Sequence, residues 1–149
     1  MADWIEAGSK APDFTLPAHD GSRLRLASLR GRPVVLYFYP KDDTPGCTRE
    51  ACGFRDAEAR LAKHGAVVLG VSPDGPESHA KFRAKHALPF TLLCDVDHAV
   101  AEQYGAWREK NMYGRKSLGI VRCTFVIDPE GRVARVFKAV KVDGHDRQV

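Results

Sequence analysis

Two of the four cysteines, Cys47 and Cys52, stand five residues apart in the segment TPGCTREAC. That spacing is neither the CxxC of a dithiol redox pair nor the ligand spacing of a zinc knuckle. Thr44 suits a helix N-cap, and Pro45 suits the first helical position, where a missing N–H costs nothing. Cys47 then falls at the third helical position, where a capping box would place an acid. A thiol there faces unpaired backbone N–H groups and the positive end of the helix dipole, and both favour thiolate. Five residues along a helix leave two side chains on different faces. The pair is therefore either incidental or makes a bond for which the helix must open.

A free cysteine is only about 3% thiolate at pH 7. Bringing a thiol to a pKa near 6 takes roughly 3.4 kcal/mol, whereas a helix terminus supplies about 1 kcal/mol, and ~2 when partly buried. A second cation from a distant part of the chain is needed. Arg122, ahead of the apolar run in VRCTFVID, is the candidate, because a guanidinium in an apolar sheet must find a partner. Cys123 faces the other side of that strand and reads as a small buried hydrophobe. Cys94, inside FTLLCD, reads as core packing and is a weaker partner for Cys47.

Other polar residues carry less. The six histidines show no HxxxH or cysteine-linked ligand spacing, so neither a metal nor a cofactor is expected. Asp42 and Asp43 read as loop and capping residues, not as a catalytic carboxylate pair. Glu50, about one helical turn beyond Cys47, reads either as support for the site or as a solvated face. Trp107 and Tyr113 flank a basic loop and read as a rim or as ordinary packing. The net charge of +4 comes from Lys and Arg spread along the chain, so no nucleic-acid partner is expected. The N-terminus lacks the apolar region of a secretory signal, and no run reaches the ~18 apolar residues of a membrane span. Neither a membrane association nor the dense disulfide framework of a secreted domain is expected, and the expected address is cytoplasmic.

The elements that must position these residues follow from periodicity. A short hairpin over residues 12–31 turns at His19–Ser22, and PVVLYFY (33–39) is a central strand buried on both faces. A helix runs from Pro45 to His64 with Gly65 closing it, its apolar face marked by Ala51, Phe54, Ala57 and Leu61. Strands at 66–72 and 90–95 alternate with helices at 76–87 and 98–105. After a basic loop at Lys110–Lys116, strands 121–128 and 132–140 flank the turn Pro129-Glu130-Gly131. This order describes one domain over residues 1–149, an α/β three-layer sandwich around a mixed sheet with an N-terminal β-hairpin.

These residues match a known family. YPKDDTPGCTREACGFRD resembles the active-site segment of peroxiredoxins, with Pro40, Thr44 and Cys47 in the pattern Pro-x-x-x-Thr-x-x-Cys. GIVRCTFVIDPEGRV resembles the family's later strand with its active-site arginine, here Arg122. The Cys-x4-Cys pair and WREKNMYGRKSLGIVR are similar to the bacterioferritin comigratory protein, or Q-type, subgroup. The resemblance runs from about Ile5 to Asp146 and implies a thioredoxin-like fold. Members of the family usually continue into a C-terminal helix, which this sequence would only begin.

The resemblance implies a thiol peroxidase acting on hydrogen peroxide and organic hydroperoxides. Cys47 would attack the peroxide and become sulfenic acid. Thr44 would orient the peroxide, Pro40 would shield the site from water, and Arg122 would stabilise the thiolate and the charge of the breaking O–O bond. Cys52 would condense with the sulfenic acid as the resolving residue, and thioredoxin or a similar dithiol would reduce the disulfide. A monomer or weak dimer is implied. Helix geometry puts Cα atoms at i and i+5 about 8.6 Å apart, beyond the ~6.8 Å a disulfide tolerates. The first turns must then unwind, which Gly46 and Gly53 make easier. A thiol–disulfide oxidoreductase of the same fold would need a CxxC that is absent. The non-enzymatic alternative is a redox sensor or holdase with a disulfide-switched surface.

Overall fold

The computed structural model describes residues 4–112 and 114–138. Its centre is a five-stranded mixed sheet whose middle strand, β3 (Val34–Phe38), is wholly buried. Before it come β1 (Thr15–Pro17) and β2 (Arg23–Arg25), a small antiparallel hairpin tied to the sheet edge by an Ala18–Leu93 bridge. After it the chain alternates through α1 (Pro45–Lys63), β4 (Val67–Ser72), α2 (Pro76–Lys85), β5 (Thr91–Cys94) and α3 (Ala99–Tyr104). β3, β4 and β5 are parallel; β8 (Cys123–Ile127) returns antiparallel beside β3, and β9 (Val133–Phe137) pairs antiparallel with β8. The order across the sheet is β5-β4-β3-β8-β9.

Side-chain alternation along β3 divides the core in two. Val34, Leu36 and Phe38 face a layer built with Leu93, Phe125, Tyr104 and the N-terminal Phe14 and Leu16. Val35, Tyr37 and Tyr39 face α1 and α2 and meet Ala51, Phe54, Leu61 and Phe82. The continuous apolar run of the strand is thus explained by burial on both sides, and the three-layer architecture is the expected one. α1 holds the expected apolar face and ends at Lys63, one residue before the expected His64, which is its C-cap and precedes Gly65.

One segment departs from expectation. The stretch read as a basic loop is an antiparallel hairpin of β6 (Trp107–Met112) and β7 (Arg115–Ile120), with Trp107 opposite Ile120 and Met112 opposite Arg115. Among the described residues its strands pair only with each other, and Arg115–Leu118 are exposed, so no apolar alternation marks them. Gly114, at φ +77°, supplies the left-handed residue of its turn. The expected strand 132–140 is β9, and the readings that concern Tyr113, the C-terminal helix and the chain beyond residue 138 lie outside the described residues.

Candidate active site

Cys47 sits where its sequence position requires, third in α1 after Pro45 and Gly46, and is 1% exposed. The second cation is present. Arg122 lies immediately before β8, and alternation turns it toward α1 while Cys123 is buried in the opposite layer. Its Nη2 donates to Cys47 Sγ at 3.3 Å and its Nη1 to Glu50 Oε1 at 2.8 Å. A guanidinium can hold both partners because it presents its donors as a rigid fork. Gly46 allows the approach: a Cβ there would stand 3.1 Å from Arg122 Nη2.

Glu50 belongs to the site and not to a solvated face. Its side chain is 1% exposed, and Oε2 is buried without a hydrogen-bond partner among the described residues. Burial pushes its carboxyl up to about 7 against the pull of Arg122. Burial also works against the charge of Arg122, but Glu50 and Cys47 outweigh it and raise its pKa. Lys110 of β6 adds a half-buried cation whose pKa is lowered by burial and by Arg122.

Thr44 occupies the N-cap position with extended backbone, yet its hydroxyl caps no N–H of the helix. It donates instead to the Lys41 carbonyl oxygen at 2.9 Å. The capping reading is corrected accordingly: the hydroxyl closes the tight turn behind it, and no side chain of Thr44 competes for the N–H groups at the start of α1. Pro40 is half-buried at the end of β3. Cys52 is half-buried on α1 as a free thiol, as are all four cysteines. Burial pushes Cys94 up to about 11 and Cys123 well above the ordinary thiol range, so neither is a ready nucleophile at neutral pH.

Sequence reasoning missed a buried polar group behind the loop. Asp42, read as a loop residue, is buried and bonded to Tyr39, Ser78 and His79. The signal was available in α2, where His79 lies three residues before Phe82 on the buried face. Asp42, Asp74 and His79 bring ligand-type atoms within 4.8 Å of one another. Both His79 nitrogens and both Asp42 oxygens already have protein partners, so the group does not call for an ion.

The AhpC/TSA family model matches residues 7–136. Peroxiredoxin Bcp of Bacillus subtilis is 50% identical over 141 residues, covering 95% of this chain and 90% of the relative. Peroxiredoxin Bcp of Escherichia coli K12 is 47% identical over 141 residues with the same coverage. Among solved structures, the Xanthomonas campestris bacterioferritin comigratory protein, in trapped intermediate and ligand complexes that concern alkyl peroxide reduction, superimposes with a TM-score of 0.90 at 40% identity. That match covers 96% of this chain and 94% of the other. With a buried cysteine at the start of a helix bonded to an arginine from across the sheet, the chain belongs to the AhpC/TSA family and, within it, to the peroxiredoxins of the bacterioferritin comigratory protein, or Q, type.

Proposed function

We propose that this thiol peroxidase works through Cys47, with Arg122 as its activating cation and Cys52 as its resolving thiol. The observation that carries the reading is the fork of Arg122, which reaches Cys47 Sγ and Glu50 together. The guanidinium donates to the sulfur and stays in place as charge grows on the departing oxygen. Cys47 attacks the terminal oxygen of the hydroperoxide, the O–O bond breaks, and water or an alcohol leaves, with the sulfur oxidised to sulfenic acid. Thr44 and Pro40 flank the approach, the first orienting the peroxide and the second excluding water. The alkyl peroxide reduction named for the Xanthomonas relative supports organic hydroperoxides beside hydrogen peroxide as substrates.

Cys52 thiol then displaces water from the sulfenic acid to form an intramolecular disulfide. A 1%-exposed Cys47 and a half-buried Cys52 on an intact helix support a step that needs the first turns of α1 to unwind. A dithiol reductant such as thioredoxin returns both thiols, which fits a reducing cytoplasmic setting. No metal or cofactor enters, since sulfur alone carries the two electrons. The family resemblance, and not a surface feature, is what supports a monomer or weak dimer. The family relationship does not favour the non-enzymatic reading.

A coupled assay with thioredoxin, thioredoxin reductase and either hydrogen peroxide or an alkyl hydroperoxide tests this. Cys47→Ser should abolish turnover, and Cys52→Ser should stop recycling while still allowing one peroxide to be consumed per chain. Near-wild-type turnover by Cys47→Ser would overturn the assignment. Peptide mapping after one equivalent of peroxide should find Cys47 linked to Cys52, and a dominant Cys47–Cys94 or intermolecular link would reject the resolving role.

A further inference from the structure

Between Pro40 and α1 the chain makes a four-residue turn, Lys41 to Thr44, whose two aspartates, Asp42 and Asp43, are bonded to residues outside it. Asp42 Oδ1 accepts from the Tyr39 hydroxyl, and Oδ2 accepts from Ser78 Oγ at 2.8 Å and lies 2.6 Å from His79 Nδ1. His79 is fully buried, and its Nε2 lies 2.8 Å from the Leu93 carbonyl oxygen. That oxygen can only accept, so Nε2 carries a hydrogen, and the ring stands between the Leu93 carbonyl and the Asp42 carboxyl. The Asp42 backbone N–H donates to Asp74 Oδ2 at 2.8 Å, and the same oxygen accepts from Ser72 Oγ at 2.7 Å.

The next residue has an unusual backbone. Asp43 sits at φ +58°, in the left-handed region that Gly, and less often Asn and Asp, adopts. Its carboxylate is gripped by Lys85 Nζ at 2.8 and 3.1 Å and approached by His86 Nε2 at 3.4 Å. Ser78, His79 and Lys85 all belong to α2 and His86 follows it directly, so both aspartates of the turn are bonded to α2 or its end. Cys47 is served from the other side, by Arg122 and Glu50.

Resting on the peroxidase reading above, we propose that His79 is a positioning residue for the reaction: through Asp42 it fixes the turn that places Pro40 and Thr44 beside Cys47. It touches neither sulfur nor peroxide. Its effect is on where Thr44 stands when peroxide arrives, and a misplacement of about 1 Å near reacting atoms can cost ~10²-fold in rate. The nucleophilicity of Cys47 is set by groups that His79 does not contact. The two properties are therefore separable by experiment.

The test uses full-length chain carrying Cys52→Ser, so that one reactive thiol is read by mass spectrometry. Two rates are compared at one pH: oxidation of Cys47 by hydrogen peroxide, and alkylation of Cys47 by iodoacetamide, which needs thiolate but no oriented peroxide. In His79→Gln the peroxide rate should fall at least about tenfold while alkylation changes less than about threefold. Ser78→Ala removes one bond to Asp42 and should show the same split on a smaller scale. A peroxide rate within twofold in a folded His79→Gln variant would overturn the proposal, as would both rates falling by one common factor. If His79→Gln does not fold, Ser78→Ala decides: a selective loss of peroxide rate supports the proposal and an unchanged rate overturns it. A Cys52→Ser parent inert to peroxide takes the peroxidase reading down as well, whereas an active parent with unaltered variants removes this inference alone.

Discussion

Replacing Glu50 by Gln should make the protein's stability less sensitive to pH, and by a calculable amount. Burial raises the Glu50 carboxyl from 4.5 to about 7 in the fold. A carboxyl raised in this way keeps its proton longer in the folded chain than in the unfolded one. Its contribution to stability is therefore complete below about pH 4.5 and is lost as pH rises through 7. With those two values, the loss between pH 5 and pH 8 is roughly 2 to 3 kcal/mol. Gln is isosteric, cannot ionise, and still offers its carbonyl oxygen to Arg122. Urea unfolding of both reduced proteins at pH 5 and pH 8 reads the effect as a difference of differences, in which the other titrating groups cancel. The variant should gain about 2 to 3 kcal/mol on wild type across that range. A gap that stays constant within about 0.5 kcal/mol would refute a Glu50 carboxyl that is protonated by its burial.

Arg122→Lys should retain measurable peroxidase activity but lose about 10²-fold in the peroxide rate, because an ammonium cannot present a planar fork to Cys47 and Glu50 together; an unchanged rate in stopped-flow oxidation would remove the fork from the mechanism. Gly53→Ala should stabilise helix by about 1 kcal/mol, roughly a fivefold shift against unwinding. Intact-mass analysis at high peroxide should then show more sulfinic Cys47, and an unaltered sulfinic fraction would count against unwinding as the controlling step. Tyr37→Phe removes a fully buried hydroxyl without a partner among the described residues, so it should leave stability unchanged or raise it by about 1 kcal/mol; a clear loss in urea unfolding would reveal a hidden partner. Amides of residues 45–54 should exchange faster in the disulfide form than in the reduced form, and equal protection would exclude the opening of α1.

What could be read from the sequence was whatever a local rule or a contiguous pattern expresses. β3 was legible because a seven-residue apolar run has few homes other than a strand covered on both faces. The place of Cys47 was legible because Thr-Pro marks a helix start, and Arg122 because a lone guanidinium beside an apolar strand needs a partner. The β6–β7 hairpin was not legible, since exposed strands that pair only with one another carry no apolar period. The hydroxyl of Thr44 also escaped, because the Lys41 carbonyl is a partner that only the turn geometry reveals. Glu50 and Asp42 were ambiguous for another reason. A carboxylate is buried or solvated according to what lies opposite it, and their partners are 72 and 37 residues away.

The two layers of the core divide their polar content unequally, and this bears on how the sequence can drift. On the side of Cys47, the layer contains Tyr39, Asp42 and His79, bonded to one another, and Glu50, bonded to Arg122, groups whose partners must change together if one is replaced. On the other side, Leu36, Phe38, Leu93 and Phe125 meet mostly through apolar contact, which tolerates exchange of one hydrophobe for another of similar volume. Substitutions on opposite faces share no side-chain partner across the sheet, so their free energies should add, while pairs within the Cys47 layer should not. Descendants of this sequence could then accumulate stabilising changes on the far side, one at a time, while the near side is inherited as a block.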